Sequence, residues 1–257
     1  MRKPDPREEW AMLLLAVQFL TRLPVPASAG FTPERLTAST RYHPLVGAFI
    51  GALVALIYAA ALLAWPPPVA VAVSIAASLL LTGAFHEDGL ADMFDGIGGG
   101  MTRERALEIM KDSRIGTYGG AALILALLLK ATTLAAMPPH AVIIALITGH
   151  GLSRFSSVLV IATSGYVRDH GTAKPVADGV SGESLMVATA TALVLWLGLV
   201  LSLGWVAALL GLAGLALGHW GIRRVYERKI GGYTGDCLGA VQQGSELGFY
   251  LGVLAWL

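Results

Sequence analysis

Apolar residues occur in long runs along this chain, and polar residues are gathered in the segments between them. An α-helix needs about 20 predominantly apolar residues to cross a bilayer. The runs that come near this length predict seven transmembrane helices, at residues 44–65, 69–85, 119–137, 141–164, 185–203, 205–222 and 237–257. The pattern therefore predicts an all-α, polytopic membrane helix bundle, with residues 1–257 as a single domain.

Two shorter segments predict helices that do not span the membrane. Residues 10–20 are apolar but too short to cross, so we predict an interfacial or re-entrant helix that ends before Pro24 and Pro26. Residues 103–113 combine charged and apolar positions, and Thr102 can cap their first turn. They predict an amphipathic helix on the membrane surface, with Gly116 near its end.

The composition agrees with a membrane protein. The 257 residues are 55% hydrophobic and only 14% charged, with a mean hydropathy of +0.68. Because a soluble domain carries about 25% charged residues, a soluble globular class is excluded. A single cysteine, Cys237, excludes an internal disulfide and a cysteine-rich metal site. The first apolar run lacks a small-residue cleavage site, so we expect no removable signal peptide.

Charged residues fall on one side of the predicted bundle. All Lys and Arg except Lys130 and Arg154, and all acidic residues except Glu246, lie in the N-terminal region or in the segments after alternate spans. The positive-inside rule places this side in the cytoplasm, where we expect the chemistry. Small molecules and the lipid bilayer are the predicted partners. Nucleic acid is not among them, and a homo-oligomer is left open.

Three carboxylates form the most informative pattern in the chain. If residues 88–95 are helical, Asp88, Asp92 and Asp95 share one narrow face. The repulsion between them would be relieved by a hard divalent cation such as Mg²⁺. The alternative is a solvated helix end with scattered carboxylates. The glycines between Gly96 and Gly100 could approach a ligand or simply form a flexible turn.

A second group of charges lies on the predicted amphipathic helix. Glu108 and Asp112 would share one face there, with Lys111 and Arg114 beside them. Carboxylates that hold metal and cations that meet phosphate oxygens suit phosphoryl or pyrophosphate chemistry. Glu108 could instead pair with Arg105 or Arg103 on its own helix.

Several other polar residues have two interpretations. His86 could be a surface hydrogen bonder or a proton carrier, and Lys130 could be a packing residue. Arg154 lies within a predicted span, so it should face an internal partner such as Glu246 or bind substrate. Asp236, just before the last span, is positioned to reach the same cytoplasmic site as Asp88, Asp92 and Asp95, which we call the acidic stripe.

Motifs spread from residue 19 to residue 240 resemble one enzyme family, adenosylcobinamide-GDP ribazoletransferase or cobalamin synthase. They are Phe19-Leu20-Thr21-Arg22-Leu23-Pro24-Val25-Pro26, the run from His86 to Gly96 that contains Asp88, Asp92 and Asp95, the run from Glu108 to Gly119, Ser153-Arg154, and the run from Gly232 to Ala240. The resemblance implies that α-ribazole or its 5′-phosphate attacks adenosylcobinamide-GDP and that GMP leaves. It further implies Mg²⁺ as cofactor and the prokaryotic cytoplasmic (inner) membrane as location.

A weaker likeness connects the chain to membrane CDP-alcohol phosphotransferases. Their pattern is echoed by Asp92-x-x-Asp95-Gly96 and Glu108-x-x-x-Asp112. The chain departs from that pattern at Glu108 and lacks the Ala-Arg pair expected directly after Gly96, so only the metal-binding logic carries over.

From these motifs we expect Asp88, Asp92, Asp95, Glu108 and Asp112 to hold one or two Mg²⁺ ions. Either Asp88 or Asp112 would accept the proton of the attacking hydroxyl, and His86 is a further catalytic candidate. Side chains expected to bind phosphate or substrate are Arg22, Lys111, Ser113, Arg114, Arg154 and Asp236. Two rival functions are an Asp-rich-motif prenyltransferase, which would release pyrophosphate, and a metal-ion transporter, which would hold its carboxylates near the bilayer midplane.

Overall fold

The computed structural model describes residues 5–26, 30–168, 176 and 179–257, and it confirms an all-α bundle. A short 3₁₀ turn, Thr40–Tyr42, joins the helix Pro33–Ser39 to the helix His43–Ala61. The helices are α1 (Pro6–Leu20), α2 (Pro33–Ser39), α3 (His43–Ala61), α4 (Pro67–Thr82), α5 (Phe85–Gly99), α6 (Arg103–Ile109), α7 (Thr117–Ala135), α8 (Pro139–Thr163), α9 (Gly182–Leu203), α10 (Trp205–Ile230) and α11 (Gly235–Leu254). Helices α9 and α10 are separated by a break at Gly204, where φ is 86°. The chain turns back at this break, because Trp196 Nε1 on α9 donates to Ala208 O on α10 at 3.2 Å.

Among the described residues, five helical segments are long and apolar enough to cross a membrane, rather than seven. They are the α2–α3 unit Pro33–Ala61, α7, α8, α9 and α10. Helix α4 has only 16 residues and meets the criterion only together with α5. Helix α11 is 20 residues long but carries Asp236, Gln242, Gln243 and Glu246, which lower its hydropathy. Polytopic membrane character is confirmed, with five apolar candidate spans among the described residues, or six if the bent α4–α5 pair counts as one.

The chain bends sharply between α4 and α5. The second predicted span, residues 69–85, does not continue straight into the acidic stretch, because the axes of α4 and α5 differ by 87°. Gly83 ends α4 with a left-handed φ of 67°, and Ala84 comes next at φ 55°. The left-handed Gly83 ends the helix because it turns the chain, so that Ala84 N donates back to Leu79 O at 2.8 Å. The acidic residues therefore lie on a separate helix that crosses the bundle.

Two other predicted boundaries need correction. Helix α6 begins after Thr102, whose hydroxyl accepts from Arg105 N at 3.2 Å, but it ends at Ile109 rather than at Ser113. Helix α10 continues to Ile230, beyond residue 222, where the sequence predicts the end of this span. There Arg223 and Glu227 form an i,i+4 ion pair at 3.0 Å, which favours the extra turns.

Helix α11 lies at the centre of the bundle and packs closely on α10. At their crossing a Cβ added to Gly214 would lie 2.0 Å from Gly248 O, so only glycine permits this approach. Small residues allow such close backbone contact between membrane helices. The interior position of α11 explains why its polar side chains are buried rather than exposed to lipid.

Candidate active site

Helix α5 carries the acidic stripe as the 3.6-residue period predicts. Along the stripe Asp88 is exposed, Asp92 is half-buried and Asp95 is buried. Within the part of the chain that the structure describes, neither Asp88 nor Asp92 makes a side-chain hydrogen bond or ion pair. Their oxygens are thus free to bind a ligand.

The crossing of α5 and α11 brings a third carboxylate to this pair. Gly89 and Gly239 lie at the crossing, and a Cβ on Gly89 would stand 2.9 Å from the backbone oxygen of Asp236. The Asp236 side chain consequently lies within electrostatic reach of Asp88 and Asp92. We define the acidic cluster as Asp88, Asp92 and Asp236.

A cation that the sequence analysis missed completes this arrangement. Arg168 Nη2 lies 2.8 Å from Asp236 Oδ2. Its segment is held in place by two backbone hydrogen bonds with Tyr233, one from Val167 N at 3.0 Å and one to Gly165 O at 2.9 Å. Because Arg168 lies in a loop far from Asp236 in the chain, no local motif indicates the pair.

Asp95 has a different environment from the acidic cluster. Its two carboxylate oxygens accept from Gly116 N at 2.7 Å and from Gly119 N at 2.8 Å, at the first turn of α7. Backbone N–H groups at a helix N-terminus lack intrahelical partners, and a carboxylate there satisfies them. In this structure Asp95 fixes the start of α7 to α5.

The predicted second group of carboxylates does not assemble. Because α6 ends at Ile109, Glu108 and Asp112 do not share a helix face, and the expectation that they would is wrong. Glu108 Oε2 accepts from Arg105 Nη1 at 2.7 Å, and both side chains are exposed. This matches the alternative interpretation of Glu108.

Beyond α6, Asp112 is bound to a neighbouring cation. Its Oδ1 accepts from Arg114 Nε at 2.9 Å and from Arg114 N at 3.1 Å. The hydrogen bond from the Arg114 side chain lowers the pKa of Asp112 to about 2. The side chains of Lys111 and Ser113 are not buried and make no hydrogen bond or ion pair to the described residues.

Arg22 lies at the bend between α4 and α5. Its backbone N donates to Leu81 O at 2.8 Å, and its side chain covers Gly83, where a Cβ would stand 2.2 Å from Arg22 Nε. His86, only 5% exposed, points into the bundle and packs edge-on against Phe85. His86 therefore faces away from the acidic cluster.

The bundle interior holds a network of buried polar side chains. Lys130 Nζ lies 2.9 Å from Glu246 Oε1 and donates to Gln243 Oε1 at 2.8 Å. Gln243 in turn donates to Glu87 Oε1 at 2.9 Å. Glu246 is thus paired with Lys130, while Arg154 Nη1 donates to His150 O at 2.9 Å. The expected direct pair of Arg154 with Glu246 is not formed.

The donor set of the acidic cluster suits Mg²⁺ together with a phosphate substrate. Among the residues that the structure describes, no three Asp, Glu, His or Cys side chains converge closely enough to enclose an ion by themselves. Mg²⁺ is usually held by one or two carboxylates, water and substrate phosphate rather than by a cage of protein ligands. Asp88 and Asp92, two unpaired carboxylates one helical turn apart, meet that requirement.

Comparison with known sequences identifies the family of this chain. A family model described as cobalamin-5-phosphate synthase matches residues 12–254. An adenosylcobinamide-GDP ribazoletransferase of Ralstonia pickettii (strain 12J) is 47% identical over 256 residues, 98% of each chain. Proteins of the same name from Leptothrix cholodnii and Vibrio cholerae are 45% and 42% identical and cover 96% and 98% of this chain, and 96% of their own lengths. No solved structure matches the chain. The chain belongs to the cobalamin-5-phosphate synthase family.

Proposed function

We propose that this protein catalyses the Mg²⁺-dependent transfer that joins α-ribazole, or its 5′-phosphate, to adenosylcobinamide-GDP. GMP is released, and adenosylcobalamin or its 5′-phosphate is formed. The observation that supports this most directly is the acidic cluster at the α5–α11 crossing, with Arg168 beside it. Relatives named adenosylcobinamide-GDP ribazoletransferase match this chain over nearly its whole length.

Asp88 and Asp92 are the residues that would hold the metal. A bound Mg²⁺ neutralises charge on the diphosphate and orients it for displacement. Asp236 is paired with Arg168, so it would line the site and not serve as a metal ligand. Asp95 is engaged by α7, and Glu108 by Arg105, which makes both weaker candidates for metal binding than the sequence alone suggested.

The transfer needs a base, and we assign this role to the carboxylate oxygen of Asp88 that is not bound to the metal. The attacking hydroxyl oxygen forms a new bond to the phosphorus next to the cobinamide, and the bond from that phosphorus to the GMP oxygen breaks. The electron pair leaves with GMP, and the hydroxyl proton passes to the carboxylate. Asp112 is less suited, because a base is effective when its pKa lies near the working pH and the pKa of Asp112 is about 2.

Cationic side chains would bind the charged parts of the substrates. Arg22 packs against Gly83 at the bend before α5, and the exposed Lys111 and Arg114 lie in the connection between α6 and α7. There these cations can meet phosphate oxygens. Ser113 is an exposed hydroxyl in the same connection. These assignments rest on position and charge.

The decisive experiment measures nucleotide release by the purified full-length protein in detergent. We expect GMP, and not inorganic pyrophosphate, to appear from adenosylcobinamide-GDP and α-ribazole, and we expect chelation to stop it until Mg²⁺ is restored. Asp88→Asn should fold normally and lose at least about a hundredfold in kcat, the usual scale for a general base. Glu104→Gln, at an exposed carboxylate on α6, is the matched control.

Three results would contradict the proposal. They are release of pyrophosphate, near-normal turnover of Asp88→Asn, or metal uptake into sealed vesicles without conversion of substrate. The first would indicate a prenyltransferase, the second would remove Asp88 from the site, and the third would indicate a transporter.

We further propose that the acidic cluster faces the cytoplasm. The native cysteine, Cys237, is buried and gives little background labelling. A cysteine at Ser113 should react with a membrane-impermeant maleimide only in inside-out vesicles, whereas one at Ala64, in the connection between α3 and α4, should react only in right-side-out cells. The reverse pattern would place the site outside.

A further inference from the structure

A small cavity lies on the inner side of α5, behind the acidic cluster. It contains about 30 Å³ of space and is bounded by parts of α1, α3, α5, α8 and α11. Gly235 and Gly239 line it, and Gly235 immediately precedes Asp236. The side chains that give the cavity its character are Phe19, His43, Phe85, His86, Arg154 and Leu238.

Two buried hydrogen-bonding groups in this wall lack partners. Arg154 is 2% exposed, and its Nε has no hydrogen-bond partner among the described residues. His43 is 4% exposed, and its Nε2 is likewise unpaired within the described chain. A buried hydrogen-bonding group without a partner is costly, so such groups are usually completed by a ligand or by water. The guanidinium of Arg154 can donate only, which calls for an acceptor in the cavity.

The charge balance around the cavity determines what kind of acceptor fits. The interior next to it holds two cations, Lys130 and Arg154, and two carboxylates, Glu87 and Glu246. These four formal charges already cancel. A phosphate in the cavity would add uncompensated negative charge to a region shielded from water, at a high cost in solvation. A neutral group with an acceptor atom satisfies Arg154 without disturbing this balance.

The remaining wall suits a flat and mostly apolar group. Phe19 stacks on His43 with ring centroids 5.8 Å apart and an interplanar angle of 11°, and Phe85 meets Phe19 edge-on at 5.5 Å. Leu20, Ile161 and Leu238 supply further apolar surface. A guanine base carries N–H donors as well as acceptors, and this wall offers them few partners. An apolar aromatic ring with one or two ring nitrogens fits better.

We infer that this cavity is the subsite for the neutral nitrogen heterocycle of the attacking nucleoside, the base of α-ribazole. This inference rests on the proposed function. Arg154 donates to a ring nitrogen, and Phe19, His43 and Phe85 form the aromatic wall beside the ring. The nucleoside ribose then projects past Gly235 towards the acidic cluster. Arg154 accordingly binds the base rather than phosphate.

Entry of the ring requires one wall to move. A space of about 30 Å³ holds on the order of two water molecules, which is less than an aromatic bicycle needs. Phe85 is the mobile candidate, because it is 39% exposed and comes directly after the left-handed Ala84 at the bend. Rotation of its side chain away from Phe19 would open the cavity next to α1.

The test is a substitution that enlarges one of the side chains lining the cavity. Leu238→Phe places a larger ring in the cavity, and the matched control Leu247→Phe makes the same change on α11 in a groove on the outside of the bundle. We expect Leu238→Phe to raise KM for α-ribazole, and its Kd in equilibrium dialysis, by about tenfold or more, with KM for adenosylcobinamide-GDP within about twofold of wild type. Leu247→Phe should change neither constant.

A second variant tests the hydrogen bond. Arg154→Lys keeps the charge balance but removes the Nε and Nη2 donors, so it should weaken α-ribazole binding and leave adenosylcobinamide-GDP binding unchanged. Thermal unfolding in detergent identifies variants that do not fold. The inference is overturned if Leu238→Phe weakens the corrinoid substrate instead, affects both substrates equally, or affects neither. Dialysis of α-ribazole needs no turnover, so a wild-type protein that releases no GMP refutes the proposed function while the subsite is still tested.

Discussion

Residues that look equivalent in the acidic stripe have different tasks. Asp88, Asp92 and Asp95 share one helical face, yet the structure gives only Asp95 backbone partners. A carboxylate that accepts two N–H bonds is committed to structure, because releasing it leaves both donors unsatisfied. The difference between Asp95 and its neighbours is therefore testable by stability as well as by activity.

Asp95→Asn should destabilise the protein. An amide offers one acceptor oxygen where the carboxylate offers two, so one backbone N–H of α7 loses its partner, at a cost of about 1–3 kcal/mol. We expect a lower apparent Tm in detergent for Asp95→Asn and an unchanged Tm for Asp88→Asn. An Asp95→Asn protein that is as stable as wild type but binds Mg²⁺ more weakly would show that Asp95 is a metal ligand instead.

The pair of Asp112 and Arg114 leads to a prediction about pH. Its hydrogen bond with Arg114 lowers the pKa of Asp112 to about 2, so the carboxylate is ionised above that pH and the interaction is lost only as the pH falls through it. Asp112 thus does not titrate between about pH 5 and 9. Asp112→Asn should lower kcat/KM by the same factor across this range and leave the acid limb of the profile in place. A shift of the acid limb in the Asp112→Asn profile would indicate that Asp112 is the general base.

At the scale of elements, the crossing of α5 and α11 assembles the acidic cluster. Gly89 and Gly239 let the two backbones meet, and this contact is what places Asp236 beside Asp88 and Asp92. The 87° bend before α5 gives the helix the direction it needs for the crossing. Helix geometry, rather than any one loop, therefore sets the distance between the carboxylates.

Gly89→Ala should separate these helices. The added Cβ would stand 2.9 Å from Asp236 O and 3.1 Å from its Cα, both backbone atoms, so α11 must shift. We expect kcat/KM to fall by about tenfold or more, the scale of a misplaced reacting group. The control Gly221→Ala adds a methyl group where nothing lies within 4 Å, and it should keep full activity and unfold at the same or a higher temperature. Equal effects of both changes would exclude a special role for the crossing.

At the scale of the whole molecule, buried ionic groups hold the bundle together around α11. Glu246 is 1% exposed, and its Oε1 lies 2.9 Å from Lys130 Nζ. This buried ion pair joins α11 to α7. Removing one partner of a buried ion pair costs about 3–5 kcal/mol in soluble proteins, because the other charge is left uncompensated.

Glu246→Gln should therefore reduce stability strongly, and Lys130→Met should do so as well. The double variant should recover a large part of the loss, since neither charge then remains alone. Thermal unfolding of the four proteins in one detergent measures the coupling. Additive losses would mean that the two side chains are screened from each other by water.

The sequence alone determined the class of the protein and the carboxylates that α5 brings to its site. The lengths of the apolar runs require a helical membrane bundle, because backbone polar groups in lipid must be satisfied within helices. The 3.6-residue period placed Asp88, Asp92 and Asp95 on one face, and the spaced motifs indicated the family. These features are local, so they can be recognised without knowing the fold.

Only the tertiary structure decided which charges meet. Arg168 and Asp236, or Lys130 and Glu246, come from distant positions and are joined by helix packing that no local pattern encodes. The bend at Gly83 and the end of α6 at Ile109 separate residues that an ideal helix would align. The physical reason is that periodicity fixes the direction of a side chain around its own helix, whereas its partner depends on where another helix crosses.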